Sequence, residues 1–360
     1  MILKWLIISS VAASATPART QLHDTCLLQA ADPKNAWALA HGVTALGKSY
    51  AAADGRKATD VMVSDFLQQN GGSATGAPYG FARYTADGIP VEPHTNLITK
   101  TLVLAKMPLT QSFKTSFGRV TLAQLVDNLK RGFHHEAASE DYWHDVGWTL
   151  DALAQTLKPG PGAVFTNGEG QRIDFNEVMN DALSYLERST ADLKAGMAQG
   201  LPQVAKRKQG LYAHSCGGLH LVQAVLSWAR YPAVKKAWGK RFDDQVAILF
   251  YRLESERRQY DEALEKVPTH KLEILVQMVK FYGHFLETTG RLKSELKWKP
   301  TPAQQISVNR AKALLDHATR QLDEMRAFDM MSELKTTKKQ VYWDLIGDSC
   351  HASHGWDYWP

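Results

Sequence analysis

The chain has 360 residues, of which 44% are hydrophobic and 22% are charged. This composition is typical of a globular protein and excludes a disordered, collagenous or low-complexity chain. The 42 basic and 37 acidic side chains nearly balance, and the longest basic run covers only residues 206–208. Such a charge distribution does not favour nucleic acid binding. We therefore expect a small-molecule, glycan or peptide substrate and no nucleic acid partner.

Residues 1–15 have the pattern of a cleavable export signal. A single lysine precedes a short apolar stretch, and Ala13, Ser14 and Ala15 match the small-x-small site of signal peptidase. The apolar stretch is too short to cross a bilayer, which takes about 20 residues. The sequence thus predicts an exported protein, periplasmic or secreted, with no membrane span and one helical domain over residues 16–360.

Apolar residues between positions 271 and 286 follow two helical rows. The rows are Leu272, Leu275, Val279, Tyr282 and Leu286, and Ile274, Met278, Phe281 and Phe285. Single stripes occur on either side of this segment, at Phe242, Val246, Leu249 and Leu253, and at Ala311, Leu315, Ala318, Leu322 and Met325. Two rows predict a helix that is buried on most sides, and one stripe predicts a helix with one wet face. The alternation indicates an all-α fold, either an α/α toroid or a helical-hairpin array, with an inner and an outer helix layer.

A histidine followed shortly by glycine recurs along the chain and suggests an internal repeat. These segments begin at His41, His144, His214, His284 and His351, and the last four starts are separated by 70, 70 and 67 residues. That spacing fits one outer and one inner helix with their loops. The longer gap after His41 is rich in turn residues, which predicts a small irregular or β-hairpin insertion near residues 71–93. Such an insertion is either a lid over a site or a surface excursion.

Two of the three cysteines lie inside these histidine segments, and this co-location suggests a metal site. On a helix, Cys216 would share a face with His220, and Cys350 with His354, because each pair is four residues apart. Sulfur and imidazole ligands suit a tetrahedral zinc site. The predicted ligands are Cys216, His220, Cys350, His351 and His354.

Other arrangements of the same residues stay open. In an oxidising compartment Cys216 and Cys350 could instead form a disulfide, or either could pair with Cys26. Free buried thiols are a further alternative. His41 and His284 have apolar neighbours, so they could be core histidines that bond to backbone carbonyls.

Three short motifs resemble those of the lanthionine cyclase family, whose members are α/α toroids with a catalytic zinc. They are Cys216 before Gly217, the adjacent pair Cys350 and His351, and the His41-Gly42 turn. The resemblance implies the toroid and implies Cys216, Cys350 and His351 as zinc ligands. It covers short motifs and no long collinear stretch. The segment between the two cysteines is about one repeat too long, and an exported protein would not meet the cytoplasmic peptide substrates of those cyclases. We therefore do not transfer the family's reaction to this chain.

A second concentration of polar residues covers positions 134–145. Tyr142, His144 and Asp145 offer a phenol, an imidazole and a carboxylate, which are the groups of general acid and base catalysis. The alternative is a plain helix start, capped by Ser139 with acidic residues in the first turn. The adjacent His134 and His135 lack the spacing of a zinc protease motif.

Together these features predict an exported, zinc-dependent enzyme that is hydrolytic or thiol-activating. The candidate catalytic residues are Tyr142, His144, Asp145 and His214, with the metal polarising substrate or water. One alternative is a metal-free glycan lyase or hydrolase on the same toroid, with the cluster from Glu140 to Asp145 as its acid and base. Another is a non-enzymatic helical-repeat protein that binds a peptide or protein on its inner face.

Overall fold

The computed structural model describes residues 16–70, 76–206, 216 and 218–360. The predicted signal over residues 1–15 and the candidate catalytic residue His214 lie outside the described residues. The α-helices of the described part are α1 Pro17–Gln29, α2 Ala36–Leu46, α3 Ala58–Phe66, α4 Leu97–Leu104, α5 Leu122–Arg131, α6 Glu140–Asp145, α7 Gly147–Thr156, α8 Phe175–Ser189, α9 Ala191–Ala198, α10 Leu219–Ala229, α11 Pro232–Trp238, α12 Lys240–Lys266, α13 Lys271–Leu296, α14 Pro302–Glu324, α15 Met331–Thr337 and α16 Lys339–Asp357. The predominance of helix confirms the all-α prediction.

Short antiparallel hairpins supply the strands of the described residues. The strands are β1 Leu67–Gln69 and β2 Tyr79–Phe81, β3 Ser112–Thr115 and β4 Gly118–Thr121, and β5 Val164–Thr166 and β6 Arg172–Asp174. The β1–β2 hairpin lies at the predicted insertion but begins earlier, at Leu67, where it pairs with Phe81. The other two hairpins were not predicted, because strands of three or four residues are too short for a clear alternation of apolar and polar side chains.

The long carboxy-terminal helices bury the faces that the sequence predicts. On α13, Leu275, Tyr282 and Phe285 are fully buried, as two apolar rows require. On α14 one stripe of apolar side chains is buried, and on α12 the predicted stripe is buried together with Ile248 and Phe250 beside it. Met325 departs from its stripe, since it follows the last residue of α14 and is 36% exposed. Among the helices of the described residues, none combines the length and apolar character that crossing a bilayer requires.

Six helices contact one another in a fixed order. Helix α2 packs against α4, α4 against α7, α7 against α10, α10 against α13, α13 against α16, and α16 against α2. Other helices pack on members of this set: α1 on α16, α8 on α10, and both α12 and α14 on α13. A disulfide between Cys26 and Cys350 also joins α1 to α16.

Helices α13 and α16 approach closely because glycines face each other at their contact. A Cβ at Gly355 would lie only 2.7 Å from the carbonyl oxygen of Gly283 and 2.8 Å from the Glu287 nitrogen. Both neighbours are backbone atoms, which cannot move aside without shifting a helix.

Replacing Gly355 by Ala is therefore expected to push α16 away from α13 and to destabilise the protein. We expect a loss of about 1–3 kcal/mol, as for other overpacked cores. Urea unfolding measures the loss. Gly162→Ala is the matched control, because a Cβ there meets nothing within 4 Å; equal midpoints for the two variants would contradict the close packing.

Glu92 is a buried carboxyl just before α4. Its Oε1 accepts a hydrogen bond from the Ile98 amide at 2.9 Å, and burial raises its pKa from 4.5 to about 8. Between pH 4.5 and about 8, Glu92 is protonated in the folded state and ionised in the unfolded state. The contribution of Glu92 to stability is therefore fully present below pH 4.5 and falls as the pH rises through this window.

The Glu92→Gln variant keeps an oxygen acceptor for the Ile98 amide and removes the ionisation. We expect the wild-type protein to lose up to roughly 1.4 kcal/mol per pH unit between pH 5 and 8 from this group, and the variant to lose less. Urea unfolding at several pH values compares the two slopes. Identical slopes would show that Glu92 ionises normally in the folded protein.

Candidate metal centre and its cavities

Three buried histidines on three helices form a cluster that can hold a metal ion. His220 begins α10, His284 lies in the middle of α13 and His351 in α16, and their ligand nitrogens all lie within 4.8 Å of one another. The ring centroids of His284 and His351 are 4.0 Å apart, a closeness that follows from the glycine contact between α13 and α16. We call these residues the three-histidine cluster.

Hydrogen bonds fix two of the three rings and leave one nitrogen of each ring available. The Nδ1 of His284 lies 2.9 Å from the Lys280 carbonyl, and the Nδ1 of His351 lies 3.0 Å from Glu287 Oε2. Both partners are acceptors at neutral pH, so each Nδ1 carries the hydrogen and each Nε2 has a free lone pair. The His284 Nε2 is buried without a hydrogen-bond partner. This arrangement is typical of histidines that bind metals.

Glu287 is the carboxylate that orients His351. Besides His351, it accepts hydrogen bonds from His354 Nδ1 at 2.8 Å and from Gln223 Nε2 at 3.1 Å. Burial favours its neutral form, but His351 and His354 together hold its pKa well below the usual range. Glu287 is thus an ionised group that can balance part of a cation's charge. His354, which we predicted as a ligand, is not in the cluster and holds Glu287 from its other side.

A buried ionic network lies next to His220. Lys100 Nζ is 3.4 Å from His220 Nδ1 and 3.6 Å from Asp151 Oδ2. Asp151 in turn accepts two hydrogen bonds from Arg291, at 2.7 and 2.8 Å. The network connects α4, α7 and α13, so it fixes the helices that surround His220.

Burial favours the neutral form of three histidines in this region, His41, His220 and His284. It lowers the pKa of His220 and of His284 well below the usual value, and the nearby Lys100 and His351, respectively, add to this effect. For His41, burial and the neighbouring His351 lower the pKa to about 3. Neutral imidazole is the form that binds metals.

A cavity of about 630 Å³ opens beside the three-histidine cluster, and we call it the histidine cavity. Its lining includes the cluster and Trp37, His41, His94, Trp148, Cys216, Lys280 and Trp343. It also includes Arg83, Tyr84, Gly88, Pro90, Pro93 and Lys339. All of the latter except Lys339 belong to the segment after β2, so part of the predicted insertion borders the cavity. The volume is in the range of ligand sites.

A second cavity of about 570 Å³ contains the predicted catalytic residues Tyr142, His144 and Asp145, and we call it the side cavity. It shares Arg83 and His94 with the histidine cavity. The alternative prediction for this segment, a helix start capped by Ser139, is also confirmed. The Ser139 side chain accepts a hydrogen bond from the Tyr142 amide at the start of α6. The same six-residue helix therefore serves both as a capped helix start and as a cavity wall.

The carboxylate of Asp145 is held in place within the side cavity. It accepts hydrogen bonds from the backbone and the hydroxyl of Thr95, and its Oδ1 lies 3.7 Å from His94 Nδ1. Burial works against the charged form, but His94 and Thr95 keep the pKa of Asp145 below its usual value. His94 itself stacks on Trp148 at a centroid distance of 3.9 Å.

Cys350 and Cys216 have different environments. Cys350 is joined to Cys26 by the disulfide, and a disulfide sulfur is not a thiolate. This corrects the expectation that Cys350 is a metal ligand, and it selects the Cys26 pairing over a Cys216–Cys350 disulfide. Cys216 is buried, unpaired with another cysteine, and lines the histidine cavity outside the three-histidine cluster.

Sequence reasoning found His220 and His351 but did not include His284 in the metal site. His284 was part of the histidine repeat. The core-histidine alternative is confirmed for both residues it named, since His41 and His284 are buried and the Nδ1 of each bonds a backbone carbonyl. For His284 this leaves Nε2 available. His94 was missed because it belongs to no motif, and Glu287 was missed although it lies in the repeat segment that begins at His284. Comparisons of this chain with protein families, with curated proteins and with solved structures each found no match.

Proposed function

We propose that this protein is an exported zinc-dependent hydrolase whose metal is bound by His220, His284 and His351. The observation that supports the proposal most directly is the convergence of three buried imidazoles beside an open cavity. Three histidine ligands with a position left for water are typical of catalytic zinc sites. Zinc in such a site supplies a Lewis acid and a water of lowered pKa.

The donor set favours zinc over the harder cations. Magnesium and calcium prefer oxygen ligands, whereas imidazole suits zinc and other late transition metals. The cluster offers only nitrogen, and the carboxylate that contacts it, Glu287, is engaged by His351, His354 and Gln223. Asp344 and Asp348, which line the histidine cavity, pair with Lys280. Cys216 lies in the same cavity but outside the cluster, so we expect its replacement by Ser to leave most zinc binding intact.

His94 and Asp145 are our candidates for proton transfer. Asp145 lies 3.7 Å from one ring nitrogen of His94, and His94 lines both cavities. A carboxylate next to an imidazole orients the ring and stabilises its protonated form. In this proposal His94 gives a proton to, or takes one from, the substrate, and Asp145 is a positioning residue.

We infer that the helices form an α/α toroid around the histidine cavity. The inference is supported by the order of contacts, in which α2, α4, α7, α10, α13 and α16 each touch the next and α16 touches α2. Five of these helices carry a residue that lines the cavity, namely His41, Trp148, His220, His284 and His351. On this account the repeat serves to bring a histidine or tryptophan from five of the six inner helices to the centre.

Export of the protein is a separate part of the proposal. The disulfide joins residues 324 positions apart, and structural disulfides are rare in reducing compartments. An oxidising location agrees with the export signal expected at residues 1–15. Thiol counting on the secreted protein should find one free cysteine, Cys216.

The metal-free glycan lyase or hydrolase stays a second candidate, because Tyr142, His144 and Asp145 all line one cavity. The two functions are separated by assaying zinc-loaded and chelated protein on ester, peptide and glycoside substrates. Hydrolysis that is lost on chelation and restored by zinc supports the metal enzyme. Activity that survives complete metal removal overturns it and favours the acid and base residues of the side cavity.

A further inference from the structure

The charged side chains that line the histidine cavity are of both signs. Arg83, Lys280 and Lys339 line it together with Asp344 and Asp348. Lys280 lies 3.0 Å from Asp344 and 3.6 Å from Asp348, so the buried charges of this lining pair with one another. Burial also raises the pKa of Asp348 well above its usual range, although Lys280 works against this. Such a lining favours a neutral polar ligand over an ion.

Asp348 has a carboxyl oxygen that lacks a hydrogen-bond donor. Asp344, by contrast, accepts hydrogen bonds from Gln340 at 2.8 Å and from Gln277 at 3.4 Å, in addition to its pairing with Lys280. Asp348 is only 4% exposed, and its Oδ2 is buried without a hydrogen-bond partner. Because a buried acceptor without a donor is unfavourable, a ligand that donates a hydrogen bond there would be bound more tightly.

Lys280 places a hydrogen-bond donor beside this acceptor. It lies on α13, four residues before His284, and Asp348 lies on α16, three residues before His351. The pair therefore occupies the helical turn next to the three-histidine cluster, and both side chains line the histidine cavity with it. An ammonium has three hydrogens, so Lys280 can donate to a ligand while it pairs with both aspartates.

A donor and an acceptor side by side match a ligand that has the complementary pair on one edge. Among esters, glycosides and amides, the amide alone has an N–H donor next to the bond that is hydrolysed. The planar trans peptide points its N–H and its carbonyl to opposite sides, whereas a primary carboxamide or a cyclic amide has both on the same edge. Trp37 and Trp343 also line the cavity, and Trp37 packs against Gly347, the residue before Asp348. A planar amide carried on an apolar group suits this lining.

We propose that the substrate is a primary carboxamide or a cyclic amide, with its carbonyl oxygen hydrogen-bonded to Lys280 and its N–H to Asp348. The proposal rests on the proposed function, since this amide is the group on which the metal would act. Lys280 polarises the carbonyl, and Asp348 fixes the orientation of the amide next to the three-histidine cluster. Esters and trans peptide bonds cannot satisfy both partners at once, so they bind less tightly.

Ligand-detected NMR titration of the zinc-loaded protein tests this proposal with benzamide and two close analogues. Acetophenone has the shape of benzamide but a methyl group in place of the amide nitrogen, and N-methylbenzamide has its N–H trans to the carbonyl. We expect benzamide to bind at least about tenfold more tightly than either analogue, because each analogue leaves a buried partner unsatisfied. Zinc uptake is measured on the same samples.

Variants at Asp348 locate the binding. Asp348→Leu removes the acceptor, so the preference for benzamide over acetophenone should fall from about tenfold to almost none. Asp348→Asn keeps an oxygen acceptor and should keep most of the preference. Asp329→Leu, which changes an exposed aspartate, is the matched control. The comparison of the three ligands on the wild-type protein does not depend on the folding of any variant.

Several outcomes would overturn the proposal. Equal affinities for benzamide and acetophenone would mean that no N–H is recognised, and equal affinities for benzamide and N-methylbenzamide would mean that the same-edge arrangement is not required. An unchanged preference in Asp348→Leu would place the amide elsewhere. Zinc uptake without a preference for benzamide overturns this proposal alone, whereas the preference in a protein that takes up no zinc overturns the metal centre and leaves the amide site standing.

Discussion

Replacing His284 by Ala should abolish stoichiometric zinc binding and the activity that depends on it. The variant removes one of three nitrogen ligands, the one whose Nε2 is buried without any other partner. Loss of a group that only orients a ligand already costs about 10–100-fold in metal affinity, so we expect a loss of at least about 100-fold here. Competition with a chromogenic chelator measures the affinity.

Two further variants make this prediction specific. Glu287→Gln removes the charge that orients His351 but no ligand, so its zinc affinity should fall by about 10–100-fold. His317→Ala changes an exposed histidine of α14 and should bind zinc like the wild type. Wild-type affinity in the His284 variant would contradict the assignment of the cluster.

Asp151→Ala is expected to cause the largest loss of stability of any single side-chain change in the ionic network. Asp151 is fully buried and lies between Arg291, at 2.7 Å, and Lys100, at 3.6 Å. Removing it would leave the buried Lys100 without its carboxylate partner and Arg291 with Glu295, at 2.6 Å, as its remaining one. Breaking a buried ion pair in this way typically costs about 3–5 kcal/mol, and chemical denaturation would measure it.

Asp329→Ala provides the matched control for this experiment. Asp329 pairs with Arg326 at 3.1 Å, but the two side chains are 65% and 74% exposed. Exposed pairs contribute about 0–1 kcal/mol, so this variant should unfold almost like the wild type. If both variants lost the same small amount, Asp151 would not be the counter-charge that holds α4, α7 and α13 together.

The helical part of the fold was predictable because it depends on local periodicity. The two apolar rows of α13 and the stripes of α12 and α14 follow from the spacing of residues within one element. Met325 shows the limit of this reasoning, since spacing continued the stripe past the residue where α14 ends. The hairpins depend on pairs of very short segments, for which the sequence contains little signal.

The metal site was predictable only in part because it depends on which helices meet. Spacing within a helix placed His354 on a face with Cys350, but it could not show that Cys350 faces Cys26 on α1. The histidine repeat identified His284 as a recurring position, yet its role depends on a contact between α13 and α16 that glycines allow. His94 comes from a loop, where no periodicity marks a functional side chain.

Anomalous diffraction at the zinc absorption edge, from crystals of protein loaded with one equivalent of zinc, tests the metal assignment most directly. The assignment predicts one anomalous peak among His220, His284 and His351, bonded to their nitrogens at about 2.0–2.1 Å. Because the three nitrogens are spread over as much as 4.8 Å in this structure, the rings should also move closer together. A peak elsewhere, or none among these histidines, would contradict the proposed metal centre.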